Sequence, residues 1–368
     1  MKKIVLSTGL ILGVLFTLNA QIAHVERSAK HDVTTGVNNE IGDILESSDK
    51  QSRNDFTVSI RVYLEGALTL NNDEVGESHG RPLMRDELRV SPYNAQRYIP
   101  DTDPYSTMDA RSWENGEKRY QYIPSEFENE FNTIKDPLTV FEVVGEDAIV
   151  DWVFVELRSK LDNTVIVASR SGLVQRDGDV VDLDGVSKLS FPGVDEDDYF
   201  VVVRHRNHLG AMTAEAKTPK QLHELIDFTQ LTTGIFDFGD NRFEGKYDYD
   251  GLAQNQNVKQ GFLALWGGDY NGDGKIKYSS PNDDIGTLFG NIIGYELYDD
   301  DGNLIGYNFN TNFDMTYGYL SGDFYLDSKV RFSNPIDDRN PIFATLLFHP
   351  LNSAYDIGFD FFIEQVPE

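Results

Sequence analysis

The 368-residue sequence contains no cysteine. Without cysteine the chain can form no disulfide, no thiolate metal site, no cysteine nucleophile and no lipoprotein anchor. Positive charge is also scarce, because 32 Lys and Arg residues face 61 Asp and Glu residues and give a formal net charge of −29. Such acidity repels phosphate backbones and anionic lipids. We therefore expect no nucleic-acid partner and no binding to an anionic membrane surface.

Long apolar runs are missing after the first twenty residues. Lys2 and Lys3 precede an apolar stretch at 4–18, and the small residue Ala20 follows it. This order is typical of a secretory signal peptide, so we predict that residues 1–20 are a signal; a single N-terminal anchor helix is the alternative. Since no later run approaches the roughly 20 apolar residues of a membrane helix, we predict no membrane span in the mature chain and a secreted or cell-surface location.

The rest of the chain has enough apolar residues, 40% overall, to build a sizeable core. Residues 21–54 mix polar and charged residues without a pattern and are predicted to be a polar linker. From Phe56 to Leu64 apolar and polar residues alternate with period two, which indicates a strand with one buried face. Further strands are predicted at 149–157, 165–169 and 199–203. Strands at this short spacing favour a β-sandwich over residues 55–218 and a mainly β fold.

A long segment without strand pattern interrupts this region at about 65–135 and is rich in Pro, Tyr, Asp and Arg. Loops of this length often carry function. Its aromatic residues either stack on sugars or pack as ordinary loop residues. They are Tyr93, Tyr98, Tyr105, Trp113 and Tyr120.

Two histidines, His205 and His208, stand at the end of the predicted strand region. If 201–208 is one strand, side chains three positions apart point to opposite faces of the sheet. We therefore expect a hydrogen-bonded structural pair rather than a shared metal site at these positions.

An internal repeat occupies the C-terminal part of the chain. Residues 268–284 read GDYNGDGKIKYSSPNDD, and residues 322–338 read GDFYLDSKVRFSNPIDD. The two segments align without gaps at an offset of 54 residues. They share acidic positions, the lysine at the seventh loop position and a late pair of aspartates.

The first copy has the spacing of a calcium loop. Oxygen ligands at positions 1, 3 and 5 and a backbone carbonyl at position 7 wrap around a hard cation, with glycine at position 6 for the sharp turn. Position 12 is Ser280, which cannot supply the bidentate carboxylate of an EF-hand, so we expect the last ligand from one of the two aspartates that follow. The predicted ligands are Asp269, Asn271, Asp273, the carbonyl of Lys275, and Asp283 or Asp284. Ile276 at position 8 is expected to tie the loop to its partner.

The second copy keeps fewer ligands. Position 3 is Tyr325, which offers no carboxylate or amide oxygen, and position 6 is Ser328, where a positive φ costs more than for glycine. We expect weaker calcium binding here or a loop kept for packing, and an ion-free acidic turn is the alternative for both copies. The candidate ligands are Asp323, Asp327, the carbonyl of Lys329, Asp337 and Asp338.

Each loop is followed by apolar residues at helical spacing, which predicts a helix beginning near Asp284 and another near Asp338. The segment 295–307 is predicted to form a hairpin that turns at Asp301–Gly302, and 355–366 a closing strand. Residues 235–368 are thus predicted to form an α+β region built on the duplicated loop. The helix-forming apolar residues are Ile285, Leu288, Phe289 and Ile292 in the first copy and Ile342, Phe343, Leu346 and Leu347 in the second.

Duplicated loops of the form D-x-N-x-D-G-x-[IV], each followed by a helix, resemble dockerin modules, which bind calcium and dock onto cohesin partners. The chain also resembles large secreted or surface proteins of Gram-negative bacteria that join an Ig-like region to dockerin-like calcium repeats. The residues that carry this second resemblance are 151–158, 200–210 and 338–342. The resemblance implies an Ig-like sandwich at 55–218, a dockerin-like domain at 235–368, and a loose link with adhesion or polysaccharide use.

The function expected from these features is a secreted or cell-surface calcium-binding interaction or adhesion protein, with a protein or a polysaccharide as partner. The alternative is a carbohydrate-active enzyme or a polysaccharide-binding accessory protein, and a structural surface-layer subunit is a third possibility. The sequence has no nucleophile elbow, no phosphate-binding glycine loop and no complete zinc motif, so we do not expect an enzyme.

Overall fold

The structure is a computed structural model that describes most of the chain after residue 55. The described residues are 56–69, 77–112, 115–238, 253–259, 261–278, 283–298, 303–310, 314–333, 337–348, 352, 355 and 361–368. The predicted signal at 1–20 and linker at 21–54 lie outside them, as do Trp113 and the turn at Asp301–Gly302. Residues 54–368 form one compact unit.

A seven-stranded sheet forms the centre of the fold. Its strand order is β10–β9–β5–β6–β7–β2–β11, and every neighbouring pair is antiparallel except the last, which is parallel. The strands are β2 (Ile60–Arg61), β5 (Ile149–Ser159), β6 (Ile166–Gln175), β7 (Asp179–Val181), β9 (Tyr199–Arg204), β10 (Ala211–Met212) and β11 (Ile226–Asp227). A separate antiparallel pair joins β1 (Phe56–Val58) to β8 (Leu189–Phe191).

The central strand β5 is covered on both faces, since ten of its eleven residues are buried. One face carries Trp152 and Phe154, and three tyrosines pack against the Phe154 ring at centroid distances of 5.3 to 5.6 Å. These tyrosines come from the long segment before the strand and are Tyr105, Tyr120 and Tyr122. Most of the aromatic residues described in that segment therefore pack as core residues.

Short elements fill the connections. Two small strand pairs are β3 (Glu77–Ser78) with β4 (Arg81–Pro82) and β12 (Asn255–Lys259) with β13 (Phe262–Ala264). The short helices are α1 (Glu65–Thr69), α2 (Glu128–Phe131), α3 (Pro137–Glu142) and α4 (Pro219–Glu224), with 3₁₀ turns at Ser125–Phe127, Leu231–Thr233 and Asn308–Asn310. The segment 65–135 is thus mainly loop, as its composition predicts.

The duplicated sequence folds into two copies of the same unit. Each copy has a loop, a short strand and a helix, and the bounds of these elements repeat at the offset of 54 residues, except that the second helix begins one residue later. The first copy holds β14 (Lys275–Lys277) and α5 (Asp284–Gly294), and the second holds β18 (Lys329–Arg331) and α6 (Arg339–Phe348). The helices predicted after each loop are therefore confirmed.

Four further strands complete the region. β15 (Glu296–Tyr298) and β16 (Leu304–Tyr307) pair antiparallel on either side of the predicted turn. β17 (Met315–Tyr317) pairs with β18, and β19 (Phe361–Ile363) pairs with β14. The predicted closing strand is thus described at 361–363 only.

The mainly β fold is confirmed, with a large curled sheet as its largest element. The single strand predicted at 56–64 is wrong, because the chain divides there into β1 and β2. These two strands pair with β8 and with β7 in different sheets. Within the described residues no helix is long and apolar enough to cross a membrane.

Candidate metal-binding loops

The first loop, residues 269–277, is organised around two buried carboxylates. Asp269 accepts hydrogen bonds from the backbone N–H groups of Asp273 (3.0 Å) and Gly274 (2.9 Å). Asp284 accepts from the N–H groups of Tyr270 (2.9 Å) and Lys277 (2.7 Å), and so closes the loop from the start of α5. Both carboxylates are fully buried.

The second loop, residues 323–331, repeats these bonds at equivalent positions. Asp323 accepts from the N–H groups of Asp327 (3.0 Å) and Ser328 (2.9 Å). Asp338 accepts from the N–H groups of Phe324 (3.1 Å) and Arg331 (2.7 Å). Eight matched hydrogen bonds show that the sequence repeat is also a structural repeat.

The backbone conformation of the two loops is the same even where the residues differ. Gly272 and Gly274 have φ of 68° and 84°, and the equivalent Leu326 and Ser328 have φ of 54° and 67°. Left-handed backbone is strained for residues with a side chain, and most of all for a bulky one such as leucine. The second loop therefore keeps its shape at a cost that the first loop avoids.

The two late aspartates of each copy have different roles. Asp283 accepts a hydrogen bond from the N–H of Gly286 and caps α5, while Asp284 turns into the loop. Asp337 accepts from the N–H of Asn340 at 3.1 Å in the same way, while Asp338 turns into the second loop. Of the two aspartates that the spacing left open as a last ligand, Asp284 and its equivalent Asp338 are the ones placed in the loops.

The two copies pack against each other in a crossed arrangement. Ile276 of the first loop lies in a buried cluster with Phe324, Ile342 and Leu346 of the second copy. Val330 of the second loop lies in an equivalent cluster with residues of the first copy, which are Tyr270, Leu288 and Ile292. Ile276 thus ties its loop to the partner through its side chain, while its backbone pairs with β19.

One residue of the sheet region holds the beginnings of both loops. The backbone carbonyl of Asn207 accepts from the N–H groups of Gly268 (3.1 Å) and Asp269 (3.2 Å). Its side-chain amide donates to the carbonyls of Ser321 and Asp323, both at 2.8 Å. Asn207 is fully buried and follows β9 by three residues.

The long segment before β5 covers the first loop with an arginine. The Arg119 guanidinium donates to Asp269 Oδ2 at 3.3 Å and to the Gly272 carbonyl, and it pairs with Glu364 near the C-terminus. Arg204 pairs with the same glutamate at 3.0 Å. Although burial alone would raise it, these two arginines lower the pKa of Glu364 to about 2.

A single arginine does not neutralise the first loop. Burial raises the pKa of Asp269 to about 8, with Arg119 opposing the shift and Asp273 adding to it. Burial also raises the pKa of Asp273, and burial together with the charges of Asp269 and Asp273 raises that of Asp284 well above its ordinary value. All three carboxyls of the loop therefore bind a proton more readily than a free aspartate does.

The loop also has an unused oxygen ligand. Asp273 Oδ1 is buried and has no hydrogen-bond partner among the described residues. Asp269 Oδ1 and Asn271 Oδ1 lie side by side, because both accept from the N–H of Asp273 at 3.0 and 2.9 Å. Since a carboxylate has about four lone-pair sites, the oxygens that already accept N–H bonds can bind a cation as well.

The donor set fits a hard cation better than a transition metal. Its members are carboxylate and amide oxygens, which calcium and magnesium prefer. Within the described residues no group of three or more His, Cys, Asp or Glu side chains is arranged to hold a metal ion. A calcium loop relies on one amide and one backbone carbonyl in addition to its carboxylates, so among the described residues the first loop comes nearest to such a donor set.

The expectation for His205 and His208 is wrong in its geometry. β9 ends at Arg204, so the two histidines are not on one strand, and their Nδ1 atoms lie 3.0 Å apart. His205 also contacts Asp151 at 3.1 Å, and both histidines are fully buried. The hydrogen-bonded pair expected for these residues is present, and burial lowers the pKa of each.

Comparisons of this chain with protein-family models, with curated proteins and with solved structures found no match.

Replacing Asn207 with alanine should destabilise the fold strongly. The change removes three buried hydrogen bonds, one of them with His208 Nδ1, and takes the Asn207 amide donor from the carbonyls of Ser321 and Asp323, which costs about 2–4 kcal/mol in the free energy of unfolding. Urea denaturation measures this value. The matched control is Asn94→Ala, since Asn94 is exposed and the change should stay within about 0.5 kcal/mol. Equal stability of the two variants would contradict the role given to Asn207.

The stability of the metal-free protein should fall as the pH rises from 6.5 to 8.5. Asp269 has a folded pKa of about 8 against about 3.9 for a free aspartate, so the folded state binds more protons over this range. Each such proton lowers the stability by about 1.4 kcal/mol per pH unit until the pH passes the folded pKa. Thermal unfolding in EDTA measures the trend. A flat or rising Tm over this range would show that the loop carboxyls are already ionised.

Proposed function

We propose that the protein is a secreted or cell-surface interaction protein whose C-terminal region is stabilised by calcium bound in the first loop. The observation that carries the proposal is the buried Oδ1 of Asp273, which has no partner among the described residues and lies beside carboxyls that repel each other. The ligands are Asp269, Asn271, Asp273, the carbonyl of Lys275 and Asp284. An Ig-like sandwich at 55–218 and a dockerin-like region at 235–368 complete the proposal.

Calcium would act on the fold through the charges of the loop. Without the ion, the ionised forms of Asp269, Asp273 and Asp284 are held close together by backbone hydrogen bonds and cannot move apart. A divalent cation favours the ionised carboxylates, so ion binding and folding are coupled. Because Asp284 also begins α5, an ordered loop fixes the helix that packs on the second copy.

The kind of partner is inferred from the exposed apolar side chains of the protein and not from the calcium loops. Exposed apolar side chains gather on β15, β16 and the turn after them, where each is 39 to 65% exposed: Tyr298, Leu304, Ile305, Tyr307 and Phe309. Exposed apolar side chains concentrated in one segment are typical of protein contact surfaces. A protein or polysaccharide partner at the cell surface is therefore proposed, and no catalytic step is.

Calcium should raise the Tm of the purified protein, and EDTA should reverse the effect. At a free calcium concentration a hundredfold above Kd, binding to the folded state adds about 2.7 kcal/mol of stability. Asp273→Asn keeps the shape of the side chain and removes the charge, so its Tm should respond far less to calcium. Differential scanning fluorimetry at pH 7.5 measures both shifts.

The matched control for that variant is Asp283→Asn. Asp283 caps α5 and does not face the loop, and asparagine caps helices as well as aspartate does. The calcium response of this variant should equal that of the wild type. If the wild type itself melts at the same temperature with and without calcium, the proposed function is wrong.

Carbohydrate binding is the second candidate function, and one groove favours it. The groove has a volume of about 520 Å³ and lies along α5. Gly290 and Gly294 form its floor, and a side chain built at either would have open space around it. Asn291 contributes a buried Oδ1 without a partner among the described residues. The walls carry aromatic rings for stacking and polar groups for hydrogen bonds: Tyr270, Thr287, Tyr295, Glu296 and Tyr298.

If this groove binds glycans, a glycan array should give hits with the wild type that Tyr298→Ala loses. The loss follows because stacking of a sugar ring on an exposed aromatic face contributes much of such binding. Tyr355→Ala is the control, since Tyr355 is 63% exposed and does not line the groove. An array without hits, or hits that survive in Tyr298→Ala, would contradict this second function.

A further inference from the structure

The two loops differ most at the fifth position. In the first loop Asp273 Oδ1 has no partner among the described residues. In the second loop the equivalent Asp327 is held by a lysine of its own loop: Lys329 Nζ lies 2.7 Å from Asp327 Oδ2, and Asp327 Oδ1 accepts from the Lys329 N–H at 3.3 Å. The ammonium group thus lies against the carboxylate that a cation would bind.

A tyrosine from the long segment 65–135, which covers both loops and is called the covering segment below, holds this lysine in place. Lys329 Nζ donates to the Tyr93 hydroxyl and lies 4.4 Å from the centroid of the Tyr93 ring. A cation above an aromatic face is stabilised by the ring, and more so when it is removed from water. The first loop carries the same residue type at this position; there the Lys275 backbone N–H bonds the Asp273 carboxylate and the Lys275 charge lowers its pKa, while Asp273 Oδ1 has no partner among the described residues.

The two loops also differ in burial, and this difference again favours ion binding in the first loop. Every residue from 322 to 330 is buried, whereas Asn271, Asp273 and Lys275 of the first loop are half-buried. Ser328 Oγ bonds Ser91 Oγ at 2.7 Å, which closes the second loop under the covering segment. An ion can therefore reach the first loop from solvent more easily than the second.

The second loop also lacks an oxygen donor at its third position. Asn271 of the first loop is replaced by Tyr325, which is buried. The remaining acidic residues, Asp323 and Asp338, have pKa values raised by burial and by the neighbouring carboxylates. Arg206 opposes the shift at Asp323, so protein cations act on Asp323 and on Asp327.

We propose that Lys329, held by Tyr93, takes the place of calcium in the second loop, so that of the two loops only the first binds a calcium ion. The inference rests on the proposed function, because it assumes that the first loop binds calcium. It assigns the second copy a structural role in which an internal ion pair replaces the metal.

Isothermal titration and native mass spectrometry on the full chain test this inference by counting bound ions. The wild type should bind one calcium, and Asp273→Asn should bind none. Two ions in the wild type, or one ion that remains in Asp273→Asn, would overturn the inference while leaving calcium binding itself intact. No ion in the wild type would instead overturn the proposed function on which it rests.

Lys329→Met tests the replacement directly, because methionine fills a similar volume without charge. This variant leaves Asp327 without its partner, so it should bind a second calcium and show a larger Tm rise with calcium than the wild type. Lys275→Met is the matched control and should bind one ion only. If Lys329→Met folds and still binds one ion, Lys329 is not what keeps calcium out.

A milder variant covers the case in which Lys329→Met does not fold. Tyr93→Phe removes the hydroxyl that holds Lys329 and leaves the charge and the ring in place. Its calcium titration should show a weak second site that the wild type lacks. An unchanged titration would exclude the Tyr93 hydroxyl from the mechanism and overturn that part of the proposal.

Discussion

The fold depends on a short buried segment, Arg204–His208, in which charged and polar side chains are removed from water. A buried charge is tolerated only when it is paired and hydrogen-bonded. Asp151 meets this demand for His205 and Arg206 at 3.1 and 3.0 Å, and Glu156 meets it for Arg204 at 2.9 Å, with Glu364 as a second ion-pair partner of Arg204. Asn207, between these residues, carries the beginnings of both loops. The segment therefore joins the central sheet, the duplicated loops and the C-terminus in one network.

This network explains why the loop carboxylates cannot relax by moving apart. The backbone N–H groups of Gly268 and Asp269 are fixed by Asn207, and Arg119 fixes Asp269 from the other side. Acidic groups held in place by such bonds respond to crowding by binding protons or a cation. The acidic residues of the sequence therefore do more than keep the surface charged and solvated, since some of them lie inside the protein.

Local features were the ones that the sequence could predict. Both helices after the loops, the 54-residue repeat and the left-handed position of Ser328 depend on residues close together in the chain. The division of 56–64 into two strands depends on pairing with residues more than 100 positions away, which periodicity does not report. The same holds for the loop ligands: spacing allowed Asp283 or Asp284, and only the folded chain shows which one turns inward.

The contacts that cover the loops also could not be predicted from the sequence. Tyr93 and Arg119 come from a segment whose composition indicates a loop, and nothing in that composition tells which aromatic or basic residue meets which acidic one. As an aromatic loop residue Tyr93 suits the stacking of sugars, yet in the fold its ring faces the ammonium group of Lys329. A residue type that suits two roles is assigned by its neighbours, and those neighbours are distant in the chain.

The crossed packing gives a physical reason for keeping a second loop that has lost ligands. Val330 of this loop packs with Leu288 and Ile292 of α5, and Gly322 lies so close to Leu288 that a Cβ there would be 2.3 Å from its Cδ1. The shape of the second loop is therefore needed by the helix of the first copy, whether or not the loop binds an ion. This need accounts for the strained backbone at Leu326 and Ser328. A lysine ammonium group can replace a metal ion as the positive charge in this loop. The backbone path of the loop cannot change, because the core that packs against the first copy would be lost.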